Sequence, residues 1–132
     1  MRRLLMLTVF AGALTAAAAA PAFAHCDSVD GPVAGAALRA LDARNVNLAL
    51  PYASAIAEAE ITQAFALAQT ARGQGAEAKA LADRWFMETV VRLHRVGERA
   101  PYTGLKPAGT DFGPAIPAAE RALASGEAGT LT

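Results

Sequence analysis

From residue 76 onward the chain reads AEAKALADRWFMETVVRLHRVG, and its apolar positions recur with the period of an α-helix. Leu81, Ala82, Trp85, Phe86, Thr89, Val90 and Leu93 fall on one broad arc, while Arg84, Glu88, Arg92 and Arg95 lie toward the other side. The pattern predicts a long helix with that arc against a core. A second helix is predicted over AIAEAEITQAFALAQTARG, residues 55–73, where Ile61, Phe65 and Ala68 share a face and Gly73 and Gly75 stop it. Upstream, Pro32 suits a first helical turn, and PVAGAALRALDAR continues with good helix formers behind Asp30 as a candidate cap. Between these two helices, NVNLALPYAS breaks the period at Asn45 and Asn47, and Pro51 either starts the next helix or kinks it.

Beyond the long helix, Pro101, Pro107, Pro114 and Pro117 alternate with Gly104, Gly109 and Gly113, a composition that fits neither a regular helix nor a central strand. Tyr102, Leu105 and Phe112 give this loop apolar anchors and predict an ordered lid on the bundle. A short helix, PAAERALAS, follows, and then a tail, GEAGTLT, expected to fray. No segment carries the period of a strand, so the expected fold is all-α: a small bundle of about four helices with a Pro/Gly-rich loop before the last.

The first 24 residues do not belong to that bundle. Arg2 and Arg3, the apolar run LLMLTVFAGALTAAAAA and the small-x-small triplet Ala22-Phe23-Ala24 have the layout of a secretory signal peptide. No second apolar run follows, so the mature form is expected without a membrane span, in the periplasm or secreted. A lipid anchor on Cys26 normally needs Gly or Ala before the cysteine, and His25 stands there. Residues 25–132 then form a single helical domain. Its side chains carry ten basic against twelve acidic charges once Arg2 and Arg3 are gone, which gives no basic surface for nucleic acid. With one cysteine, no internal disulfide is available in an oxidising compartment.

Cleavage after Ala24 changes the chemistry of AFAHCDSVDGP. It makes His25 and Cys26 the first two residues, so that a free amine, an imidazole, a thiolate and the Cys26 backbone amide lie within small chelate rings. Mixed nitrogen and thiolate donors suit Cu(II) or Ni(II), and thiolate also suits Cu(I) or Zn(II). Asp27 and Asp30 either supply a further oxygen or hold the imidazole as hydrogen-bond acceptors. His94, the other histidine, falls at the edge of the apolar arc beside Met87 and Asp83, where it either reaches a metal at the leader or is capped by Asp83 or Glu98. The expected metal residues are therefore His25, Cys26, Asp30 and His94.

HCDSVDG resembles the metal hook of nickel superoxide dismutase, a small helical bundle whose mature chain begins His-Cys-Asp. The resemblance implies the His25 amine and imidazole and the Cys26 thiolate and amide as ligands. It departs where the family has its second cysteine, which is Asp30 here; Val29 replaces a proline and Val33 a tyrosine near the substrate site. Loss of a thiolate weakens nickel binding and raises the potential for reaching Ni(III), which disfavours a superoxide-directed enzyme. More broadly, HCDSVDGPV, NVNLAL, EAEITQAF, WFMETVVRLHR and APYTGLKPAG resemble a family of short exported bacterial proteins carrying a domain of unknown function.

Other chemistry is poorly represented. No Glu-x-x-His pair exists for a di-iron bundle, and Glu58 and Glu60 read as solvated helix-edge carboxylates. The Gly and Lys of the loop lack the spacing of a phosphate loop, and no serine or cysteine nucleophile has a paired base. Tyr102 and Lys106 are expected to line whatever the leader binds. The expected function is metal handling or a redox step with copper or nickel. The alternative is a non-catalytic interaction domain whose loop presents a surface to a protein partner.

Overall fold

The computed structural model describes residues 25–126. The expected signal peptide, residues 1–24, and residues 127–132 of the tail lie outside the described residues. Four α-helices carry the fold: α1 Pro32–Ala43, α2 Glu58–Arg72, α3 Ala76–Gly97 and α4 Ala115–Ser125. The long helix has the bounds its periodicity predicts. Three short 3-10 turns, Val46–Leu48, Leu50–Tyr52 and Ala55–Ala57, take up the NVNLALPYAS connection and the start of the second predicted helix. No β-strand occurs among the described residues; a single parallel bridge joins Ser28 to Lys106. Nor is any described helix long and apolar enough to cross a membrane.

α1 is the centre of the core because its sequence is small and apolar on every inward position. Val33, Ala34, Ala37, Ala40 and Leu41 are all buried, and alanine lets α3 approach closely. α2 and α3 fold back on each other across the Gly73–Gly75 turn, where Gly75 takes φ +116, a conformation costly for any other residue. Their seam holds Ile61, Ala64, Ala68, Phe86 and Val90, with the Phe65 and Phe86 rings edge to face at 5.7 Å. Polar ties close both ends. Arg92 reaches Glu60 at 2.5 Å at one, and at the other Arg72 and Lys79 converge on Asp83 at 2.7 and 2.6 Å, with Arg72 also paired to Asp42.

α1 and α3 end alike. Asn45 donates to the Ala40 carbonyl and Arg44 to that of Leu41, while Ala100 donates to Arg95 and Arg99 to Val96. In each case an arginine occupies the left-handed position usually given to glycine, with φ 51 at Arg44 and φ 56 at Arg99.

The helical wheel misassigns three faces. Leu81 and Trp85 lie 72% and 41% exposed, because the apolar arc of α3 is wider than the surface α1 and α2 cover. Arg95, expected on the polar side, is 3% exposed, since the leader folds over it. Asp30 does not cap α1: Gly31 is the N-cap residue and makes no side-chain bond, and the Asp30 carboxylate turns instead to the loop.

Candidate functional site

Residues 25–31 dock onto the end of α3 and the loop after it. A 3-10 turn over His25–Asp27 opens the segment, closed by Ser28 N–H donating to the His25 carbonyl. The chain then runs beside the loop: Lys106 N–H donates to the Asp27 carbonyl at 2.8 Å and Val29 N–H to the Lys106 carbonyl at 3.1 Å. Gly31 is required where the leader turns into α1, since a Cβ there would lie 2.3 Å from the His25 carbonyl oxygen. The loop thus acts as the ordered lid its apolar anchors predict, with Tyr102 and Leu105 packed against the core.

The structure does not gather the four expected metal residues at one point. His25 sets its ring against Phe112, edge to face at 5.6 Å, and borders a hollow of about 310 Å³ with Thr110, Asp111 and Ile116. On the same side, Asp30 Oδ2 accepts from Gly109 N–H at 2.8 Å. The Ser28 hydroxyl first, and then the Gly109 amide, hold the Asp30 carboxyl below its ordinary range. Cys26 instead packs half-buried against the core as a free thiol. Burial, followed by the negative charge of Glu98, pushes its pKa up, while Arg95 opposes the shift.

His94 lies in the last turn of α3, beside Glu98. Its Nδ1 is 2.7 Å from the Tyr52 carbonyl, which can only accept, so Nδ1 carries the proton. Its Nε2 is buried without a hydrogen-bond partner, 3.4 Å from Glu98 Oε1. Among the described residues, no three or more His, Cys, Asp or Glu side chains come together closely enough to hold a metal ion. Two further expected donors, the amine that cleavage before His25 would free and the Cys26 backbone amide, are not side chains.

Three residues organise this region: Glu98 stands beside His94 as one of the two caps expected, whereas the pairing of Asp27 with a buried Arg95 was missed by sequence reasoning. Arg95 binds Asp27 through two parallel bonds of 2.7 and 2.9 Å and reaches Glu98 at 3.0 Å, and Glu98 faces His94. The spacing of His94, Arg95 and Glu98 along one helix was a signal for Glu98. Nothing local marks Asp27 as the buried partner of an arginine on a distant helix. Lys106 reaches the leader through its backbone alone, its ammonium bonding Thr103. Tyr102 lines a different feature, a groove between α2 and α3.

A family of unknown function (DUF6448) matches the chain over residues 30–132. That span takes in Asp30, His94 and the whole bundle, and begins after His25 and Cys26. No curated protein and no solved structure matches.

Proposed function

We propose that this chain, which belongs to that family of unknown function, is an exported helical-bundle protein that binds a copper or nickel ion at the N-terminus left by removal of residues 1–24. The state of His94 carries the reading. A histidine whose Nδ1–H is fixed on a backbone carbonyl offers Nε2 as a ligand in a defined direction, and this Nε2 is buried, unpartnered and beside a carboxylate. Glu98, that carboxylate, also acts electrostatically on Cys26, which supports a common response of thiol and imidazole to a bound cation.

Cleavage before His25 supplies the amine, and Cys26 its thiolate and backbone amide, a set suited to Cu(II) or Ni(II). The metal must displace the thiol proton that burial favours, so affinity rises with pH. Asp30 either braces the loop, as its bond to Gly109 supports, or exchanges that bond for the metal. Metal handling or a redox step in the periplasm or outside the cell is the corresponding role. A metal-free interaction domain is the second reading, favoured by how fully Asp27 and Asp30 are engaged in docking the leader.

Mass spectrometry of the exported protein tests the premise, and an N-terminus other than His25 removes the amine-based site. Titration with Cu(II), Ni(II) and Zn(II) follows. Cys26→Ser, or one residue added ahead of His25, is expected to weaken copper or nickel binding by at least about tenfold, and His94→Gln by about tenfold. Binding indifferent to all three changes leaves the interaction reading.

A further inference from the structure

Away from the leader, α2 and α3 leave an open groove between them, with a polar and an apolar half. The polar half is a cavity of about 440 Å³, within the range of small-molecule sites, bordered by Glu60, Glu88, Arg92, Trp85 and Tyr102. The apolar half is a trough of about 260 Å³ formed by Leu67, Ala71, Ala78 and Leu81. Trp85 and Leu67 line both, so the halves are continuous. Leu67 and Leu81 are 57% and 72% exposed, a poor use of leucine on a soluble surface unless something covers it.

Charge selects the occupant. The polar lining carries two carboxylates against one guanidinium. Glu60 is paired with Arg92, and Glu88 with Arg84, which stands outside the lining. Both pairs are solvent-exposed, so a carboxylate can exchange its arginine for another cation at little cost. The indole of Trp85 adds a face that attracts cations. The Tyr102 hydroxyl is buried, with the Leu105 backbone amide near it but no well-aligned hydrogen bond; burial, then the charge of Glu88, raises its pKa, and its oxygen keeps a lone pair that can accept.

From this arrangement we infer that the groove binds an amphiphile with an ammonium head and an apolar tail. The head lies among Glu60, Glu88 and Tyr102 against the Trp85 ring, and the tail runs along Leu67 and Leu81. A primary ammonium has three donors for these three acceptors.

Trp85 is the chain's one tryptophan, so its fluorescence reports on this groove alone. Decylammonium, decanol and decanoate, each below its aggregation concentration, are titrated against the protein in the absence of metal. Decylammonium is expected to bind about tenfold tighter than decanol, because its contacts to the carboxylates are charge-assisted, with decanoate weakest. In the double variant Glu60→Gln, Glu88→Gln, decylammonium falls to the level of decanol; Leu81→Asn, at an exposed position, weakens both. The inference is overturned if decanoate or decanol matches decylammonium, if none of the three binds, or if the double variant keeps the preference. None of these outcomes bears on metal binding at the leader.

Discussion

Arg95 Nε donates to Asp27 Oδ1 at 2.7 Å and Arg95 Nη2 to Asp27 Oδ2 at 2.9 Å, joining residues 68 positions apart with both side chains about 95% or more removed from water. Bidentate geometry and a third acceptor, Glu98, satisfy the guanidinium in a place where an unpaired charge would be expensive. The pair fixes where residues 25–31 lie, and through them where Cys26 is held.

Breaking this pair from one side strands the other charge. Asp27→Ala is expected to cost about 3–5 kcal/mol in urea unfolding, whereas Asp27→Leu combined with Arg95→Met costs much less. Limited proteolysis distinguishes local from global loss: undocking of the leader gives cleavage ahead of Pro32 while α2 and α3 stay protected. Equal protection in Asp27→Ala and the parent would contradict the clamp.

Gly31 is held by crowding, since its φ of −72 is open to any residue. A Cβ would meet the His25 carbonyl oxygen at 2.3 Å, so Gly31→Ala must move the leader turn, at about 1–3 kcal/mol. Loss of amide protection confined to residues 25–31 and 105–109 in hydrogen exchange is the expected signature.

Arg44 sits at φ 51 with its side chain exposed. Arg44→Gly relieves the left-handed cost and forfeits some chain entropy, for a net gain of about 0.5–1 kcal/mol. Thermal unfolding is expected to shift upward; a downward shift would mean the Arg44 side chain contributes more than its backbone strain.

Cys26 is expected to react slowly. Its thiolate is disfavoured by burial and by Glu98, so the inflection for alkylation by iodoacetamide in metal-free protein lies above the ordinary cysteine value of about 8.5. Glu98→Gln removes the larger of the two charges that raise it, Asp27 being the other, and moves the inflection down.

Asp30 makes the leader-to-loop contact sensitive to acid. Its folded-state pKa is depressed, so the contact contributes fully above the ordinary carboxylate value of about 3.9 and is lost as pH falls through the lower folded value. The Gly109 amide should lose exchange protection in that acid window, and Asp30→Asn should abolish this pH dependence.

Some helix bounds were legible because they depend on local chemistry, whereas the second helix begins at Glu58 rather than Ala55 and the last at Ala115 rather than Pro117. The period of 76–97, the stop at Gly73–Gly75 and the proline at the start of α1 each act over a few residues, and the structure has them in place. The wheel erred at Leu81, Trp85 and Arg95 because a wheel gives a residue's direction from the axis and says nothing of what lies in that direction. The candidate site was legible only in part for the same reason: His94 and Glu98 are one helical turn apart, whereas Asp27 finds Arg95 only after the chain has folded.

The sequence by itself determined an all-α chain, its breaks, its lid-like loop and a leader rich in metal-ligating donors, since composition and periodicity act locally. Only the tertiary structure decided that Asp27 is buried on Arg95, that Asp30 braces the loop, that His94 keeps Nε2 without a partner, and that Trp85 and Leu81 line an open groove. Those outcomes depend on which surfaces meet, a matter of packing between segments far apart in the chain.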